Sequence, residues 1–343
     1  MRIIVEIMHP KHYHQFKNVV TILQENGHTV LFVARNKDVV FQLLKSEQIK
    51  YSIYGKYSPG LIGKFLVIPN ILSTYHKVIR KFAPQLILSK ASPYSMFLKL
   101  FNKYKTIVFP DSEVVFLTNR IVVPLSNVVV TPKSFQLNYK IKHLRVSGLF
   151  EESYLGPNVF TASKKLLDEK SFDMNEPYCL LRFVGWGANH DVNQGGLSDE
   201  EKVEMVRVLS SKIRVYISSE KNLPAKLKKY ELTTPANLIH HVLSFANFYI
   251  GDSQTMATEA ALLGTPSIRV NSFVGPNDMS NFVNLEKMGF LYNFSKFEDV
   301  MRKAEEFLSN PNAKREWKNK VVNYYESKPD INNEMYQYII DNA

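Results

Sequence analysis

Short apolar runs alternate with amphipathic segments along most of this 343-residue chain. Residues 3–7, 29–34, 51–53, 85–88 and 106–109 have the length and β-branched content of buried strands. Between them, 15–25, 38–45, 71–81 and 94–101 carry apolar positions at helical spacing, and Asn26-Gly27 is a stop signal for the first of these helices. Such alternation predicts a parallel sheet with helices on both faces. Runs at 121–123, 128–131 and 144–146 read as further strands and complete a first domain over residues 1–150.

A second series follows a Gly-Pro turn. Strand patterns at 178–183, 214–218, 248–250 and 267–270 alternate with helix patterns at 199–209, 236–245 and 253–263, and the tail is helical over 297–308, 313–325 and 331–340. The expectation is therefore an α/β chain with two Rossmann-like parallel-sheet domains, 1–150 and 151–343, facing a cleft and ending in a helical tail. Ligands bind such sheets at the carboxyl ends of the strands.

One stretch carries chemistry in this frame. Gly251-Asp252-Ser253 ends an apolar strand pattern and opens an Ala/Leu-rich helix, so unpaired backbone N–H groups and the positive helix end converge on one spot. That is an anion site, with Ser253, Gln254 and Thr255 as its first-turn residues. Glu259 lies further along the helix among Ala260, Ala261, Leu262 and Leu263, and a carboxylate in apolar company needs a partner, such as a sugar hydroxyl beside a bound phosphate. The plainer reading is a Ser-capped core helix stopped by Gly264-Thr265-Pro266.

Charge divides the chain unevenly. Residues 1–150 hold 21 Lys and Arg against six acids, 151–343 hold 22 against 26, and the chain carries +11 in all. No acid falls between Glu47 and Asp111, while ten bases do. Such a field attracts an anionic partner. Apolar and basic residues interleave over 61–81, a pattern that suits either an anionic membrane surface or a core helix with a solvated basic face. No helix-turn-helix, ribonucleoprotein or zinc spacing supports nucleic acid as the partner. No apolar window is long enough to span a bilayer and Met1-Arg2 leads straight into a strand pattern, so a cytoplasmic protein is expected, at most peripheral on the inner membrane face. The single Cys179 excludes an internal disulfide and a cysteine metal site, and its apolar neighbours make it a buried filler.

Three further clusters hold candidate groups. Arg182 and the loop Gly185-Trp186-Gly187-Ala188-Asn189-His190-Asp191 follow a strand pattern, where Arg182, Asn189 and His190 are placed to neutralise a diphosphate leaving group without metal. An ordinary surface loop with an Asx turn also fits. His9, His12 and His14 follow the first strand at a spacing that does not make a clean metal site, and His12 has a suitable pKa for a base. Asp111 and Glu113 are the sole acids of a long basic stretch, as candidate acid/base groups or as helix caps.

These residues resemble known families. The 251–269 run is similar to the phosphate- and ribose-binding segment of non-hydrolysing UDP-N-acetylglucosamine 2-epimerases and of the wider GT-B glycosyltransferase architecture. The whole chain resembles the DUF354 family, which has no assigned reaction and is grouped with GT-B glycosyltransferases. The resemblance rests on Met8-His9-Pro10-Lys11-His12 with Gly27-His28-Thr29-Val30, on Arg182-Phe183 with Ala188-Asn189-His190-Asp191 and Gly195-Gly196-Leu197, and on 251–256 with 266–271. It implies a GT-B-like fold, a diphosphate turn at Ser253, a ribose contact at Glu259 and a place near the base for His240 and His241. The chain departs from the epimerase pattern at Gln254-Thr255, where glycines stand in that family.

The first expectation is accordingly a metal-independent glycosyltransferase of cell-surface glycan synthesis, needing no cofactor beyond its nucleotide-sugar substrate. Its second domain would take the donor, and its basic first domain an anionic, lipid-linked or polysaccharide acceptor. An epimerase is the runner-up, which the charge division disfavours because an epimerase recruits no second anion. A non-catalytic nucleotide-sugar-binding protein would keep Ser253 and Glu259 but need neither Asp111 nor His12.

Overall fold

Seven strands make the first sheet: β1 (Arg2–Ile7), β2 (Thr29–Arg35), β3 (Tyr51–Tyr54), β4 (Leu86–Ser89), β5 (Lys105–Val108), β6 (Val128–Pro132) and β7 (Lys142–Val146), in the order β3-β2-β1-β4-β5-β6-β7. Five make the second: β8 (Tyr178–Phe183), β9 (Arg214–Ser219), β10 (Phe248–Gly251), β11 (Ser267–Val270) and β12 (Tyr292–Phe294), ordered β12-β11-β10-β8-β9. Every pairing is parallel. This computed structural model describes all residues except 36–37, 56–60, 171, 186–194 and 276–277.

A parallel sheet must be covered on both faces, which explains why β4, β10 and β11 are buried along their whole length. The helix Pro10–Glu25 starts with His9 as N-cap and Pro10 in the first turn, and ends at Asn26-Gly27, where Gly27 takes φ 78°. Its face Tyr13, Phe16, Val19, Val20 and Leu23 packs with Ile3, Val5 and Ile7 of β1. In the other sheet, helix Asp199–Ser210 opens with a capping box of Ser198 and Glu201, and lays Met205, Val206 and Leu209 on β8 and β9.

The compact units are Met1–Tyr154 with Pro329–Ala343, and Leu155–Lys328. The last helix, Ile331–Asn342, therefore departs from the expected second domain. Its Ile331, Met335 and Ile339 join the core of the first sheet, Glu334 accepts from the backbone N–H of Ser147 at 2.8 Å, and Asn332 donates to the Ser153 carbonyl at 3.0 Å. Residues 121–123 are also not a strand. They fall in the helical turns Thr118–Val122 and Val123–Leu125, where inward Asn119 donates to the carbonyls of Ser112 and Glu113 at 2.8 and 3.1 Å. Within the amphipathic stretch 61–81, Ile71, Tyr75 and Ile79 of the helix Ile68–Phe82 are buried in the core, while Phe65 and Leu66 before it are exposed.

Strand order reverses between β1 and β4 in one unit and between β8 and β10 in the other. Crevices at the carboxyl ends of those pairs are where such sheets hold ligands.

Candidate functional site

In the second unit, the reversal brings Arg182 of β8 into register with Gly251 of β10. A Cβ on Gly251 would run into the Tyr249 hydroxyl and lie 2.7 Å from the Arg182 carbonyl, so only glycine allows this approach. Asp252 then stitches the two strand ends: its N–H donates to the Arg182 carbonyl at 3.2 Å, and its buried carboxylate accepts from Val184 N–H at 2.8 Å. Helix Gln254–Leu262 follows at once with Ser253 as N-cap, whose hydroxyl accepts from Met256 N–H at 3.3 Å. The Ser253 side chain thus serves the helix, and the anion-binding capacity lies in the first-turn N–H groups of the half-exposed Gln254 and Thr255.

Glu259 is buried in the next turns, as its apolar neighbours require, and its partner is His240, with Nε2 3.2 Å from the carboxylate. His240 in turn meets the edge of Phe160 at 6.1 Å. The adjacent His241 accepts from Ser163 N–H through Nδ1 at 3.0 Å, and burial, aided by His240, lowers its pKa. Ser253, Gln254, Thr255 and Glu259 therefore share one helix, with the two histidines on the neighbouring helix Ile239–Phe245.

Arg182 has a second occupation. Its guanidinium donates to the Ser218 hydroxyl at 2.8 Å and to Glu220 at 2.5 Å, and the same Glu220 accepts from Gly185 N–H at 3.1 Å. The arginine pins the loop after β8 to the end of β9, and its charge is already matched. Asn189 and His190, with Trp186, lie outside the described residues.

In the first unit the reversal gathers Lys11 after β1, Lys90 after β4 and Asp111 after β5. Both ammonium groups address the same carboxylate oxygen, Lys11 at 2.8 Å and Lys90 at 2.9 Å, while Lys11 also meets Glu151 at 2.8 Å. Burial alone would raise the Asp111 carboxyl, but the two lysines hold it well below the usual carboxylate range. For Lys11, the two acids outweigh burial and push its pKa up. Lys90 is brought down to about 8, because its burial and the charge of Lys11 prevail over Asp111. The ammonium of Lys90 also donates to Gln15 at 3.0 Å and sits 4.5 Å from the centre of the Phe150 ring.

His12 belongs to this cluster. Burial, with Lys90 and His9, lowers its pKa well below the ordinary histidine value, and its Nδ1 accepts from Met8 N–H at 3.3 Å. A neutral ring whose Nδ1 accepts carries its proton on Nε2, so His12 presents a donor. Glu113 is placed apart from the lysines, accepting from Gln136 N–H at 3.2 Å on the connection between β6 and β7.

The cluster contains two residues that no local pattern singled out as chemistry, Lys90 and Glu151, and Glu6 supports the turn that follows Lys90. Glu6 is fully buried in β1, where burial raises its carboxyl against the hydrogen bonds that favour ionisation. It accepts from Ser92 at 2.6 Å, from Tyr75 at 3.3 Å and from Tyr54. Between Lys90 and Ser92, Ala91 is held at φ 62°, a left-handed conformation that costs a non-glycine residue about 1–2 kcal/mol. Glu6 thereby fixes the strained turn that aims Lys90. Among the described residues, no three His, Cys, Asp or Glu side chains are grouped to hold a metal ion.

Residues 1–172 match the family described as "Protein of unknown function (DUF354)". No curated protein matches the sequence. The S. aureus MnaA-UDP co-structure is similar with a TM-score of 0.73 at 12% identity, over 100% of this chain and 97% of that one. UDP-GlcNAc 2-epimerase from Neisseria meningitidis bound to UDP-GlcNAc aligns with a TM-score of 0.65 at 12% identity, covering 100% and 99%. MurG from Acinetobacter baumannii aligns with a TM-score of 0.59 at 14% identity, covering 99% of each chain. The two parallel sheets and the helical tail are those of the GT-B architecture.

Proposed function

Taking as premise that the chain belongs to the DUF354 family, we propose that it is a metal-independent GT-B-type glycosyltransferase, which moves a sugar from a nucleotide-sugar to a lipid-linked or polysaccharide acceptor in cell-surface glycan synthesis. The observation that carries this reading is the helix Gln254–Leu262, which combines an open, Ser-capped N-terminus at the strand reversal with a buried glutamate two turns on. A diphosphate is held by the N–H groups of Gln254 and Thr255, where the helix end favours an anion by about 0.3–1 kcal/mol. Glu259, oriented by His240, accepts from a ribose hydroxyl. As the bond from anomeric carbon to diphosphate breaks, the helix end stabilises the charge that develops on the leaving group.

The acceptor side falls to the first unit. Because both lysines bind one oxygen of Asp111, its other oxygen has no bond among the described residues. That oxygen accepts a hydrogen bond from the hydroxyl of an acceptor held on this unit. His12 donates through Nε2 to an acceptor oxygen, and Glu113 anchors the loop that carries Asp111. The net positive charge of residues 1–150 recruits an acceptor bearing phosphate.

The test is incubation with a panel of UDP-, GDP-, CMP- and TDP-sugars, with and without phospholipid-linked acceptors, followed by chromatography of the nucleotides. Acceptor-dependent release of the nucleotide, a nucleoside diphosphate or, from a CMP-sugar, CMP, supports transfer. Conversion of a free nucleotide-sugar into its 2-epimer without acceptor would replace this reading with the epimerase one, which the UDP-GlcNAc-bound neighbour keeps in view.

A further inference from the structure

The connections that follow β4 and β5 leave an apolar surface uncovered. Leu100, Phe101, Phe116, Leu117, Ile121 and Leu125 are each more than half exposed. They belong to one surface, because the two segments pack on each other: Met96 and Val123 share a buried cluster, and Lys99 donates to the Leu125 carbonyl at 3.0 Å. The inward side of the second segment is pinned through Asn119, which donates to Ser112 and accepts from the Tyr139 hydroxyl at 3.0 Å. Folding thus uses one side of this segment and turns its bulkiest apolar residues outward.

The charges around it have one sign. Lys103 and Arg120 are exposed and Lys99 half-buried on the same segments, and the Arg120 guanidinium lies 5.4 Å from the centre of the Phe116 ring. The two acids of the stretch are engaged elsewhere, Asp111 with Lys11 and Lys90, and Glu113 with the Gln136 N–H. Apolar residues with a cationic fringe match a lipid surface, where hydrocarbon enters beneath headgroups and each lysine or arginine adds roughly fivefold in affinity for anionic lipid. A second copy of the chain is a poorer occupant, since a self-complementary contact would set these cations against themselves.

We propose that this surface seats the first unit on an anionic lipid bilayer. This surface is separate in sequence from the stretch 61–81, where Ile71, Tyr75 and Ile79 are buried in the core and Phe65 and Leu66 are exposed. The binding requires no sugar transfer, so it stands or falls apart from the proposed reaction.

Flotation of the full chain with phosphatidylcholine vesicles, with and without phosphatidylglycerol, tests it. Wild type is expected to float with the anionic vesicles alone and to be released by salt. Phe116→Glu/Leu117→Glu is expected to weaken flotation by on the order of tenfold or more, and Lys77→Glu/Lys81→Glu on the helix Ile68–Phe82 by much less. If the double glutamate variant folds poorly, Leu117→Trp carries the test, since its emission should shift to the blue on anionic vesicles. Absence of wild-type flotation, equal flotation of the Phe116/Leu117 variant, or a Leu117→Trp spectrum unmoved by vesicles would overturn the proposal. So would a wild-type dimer in light scattering that the Phe116/Leu117 variant abolishes.

Discussion

Adding one methyl group at Gly251 tests the geometry of the donor site. In Gly251→Ala the new Cβ meets the Tyr249 hydroxyl and lies 2.7 Å from the Arg182 carbonyl, the oxygen that accepts the Asp252 N–H at 3.2 Å. Ordinary contact begins near 3.4 Å, so β8 and β10 must separate by several tenths of an ångström. Overpacking of this kind costs about 1–3 kcal/mol, and weakening the adjoining hydrogen bond adds about 1 kcal/mol, so a loss of roughly 2–4 kcal/mol is expected. Amide exchange should read this locally, as exchange accelerated by roughly 30- to 1,000-fold in peptides covering β8 and β10. The melting transition of the second unit should fall by roughly 5–15 °C. Gly275→Ala is the control, because its Cβ meets nothing within 4 Å. Exchange at β8 and β10 equal to wild type in Gly251→Ala would refute the close approach of the two strand ends.

Other perturbations read the rest of the account. Asp111→Asn should destabilise the first unit by about 2–4 kcal/mol at neutral pH, since it leaves two close lysines with Glu151 alone. Because the Asp111 carboxyl is held below its unfolded value, its contribution is complete above about pH 4 and is lost as pH falls through the depressed value. The gap between the wild type and this variant, measured by urea denaturation, must therefore narrow in acid, and a gap constant from pH 7 to pH 2 contradicts the ion cluster. Arg269→Met should cost about 3–5 kcal/mol, because Arg269 is fully buried against Asp278 and Phe282 and its loss strands the Asp278 carboxylate. Adding Asp278→Asn should recover part of that loss, and strictly additive melting shifts would exclude the pair. Glu6→Gln should change stability by less than about 1 kcal/mol, whereas Glu6→Leu, which orphans three hydroxyls, should cost about 2–4 kcal/mol in the same assay; equal costs would show that the hydroxyl network is unimportant.

What was legible in the chain was what is local. Strand, turn, cap and helix follow one another within 248–262, so Gly251, Ser253 and the buried Glu259 are readable from spacing and neighbours. The parallel sheets are equally plain from the alternation of short apolar runs and amphipathic segments. Contacts made by chain reversal are not encoded that way. Lys11 finds Asp111 a hundred residues on, Glu6 meets Ser92, and Arg182 is claimed by Glu220 just past the end of β9. Free imidazole has a pKa that suits a base, but burial, with the surrounding cations and the Met8 N–H, makes His12 a neutral donor. The C-terminal helix follows the second unit in sequence, but its apolar stripe fits the first sheet. The amphipathic pattern of the helix Ile68–Phe82 reported a core face, with Phe65 and Leu66 exposed just before it, while the larger set of exposed apolar residues lies in 97–125, where no period announces it.

The central claim is that the helix after β10 binds a nucleotide-sugar with Glu259 on its ribose. Isothermal titration of wild type and Glu259→Gln with the UDP-, GDP-, CMP- and TDP-sugar panel, and with the matching free nucleotides (UDP, GDP, CMP and TDP), addresses it most directly. The account predicts saturable wild-type binding to at least one donor and its free nucleotide, weakened in Glu259→Gln by about 1.5–3 kcal/mol, roughly 10- to 100-fold, as for the loss of a charged hydrogen bond. Heat-silent wild-type titrations across the whole panel, or equal affinity in the variant, would contradict it.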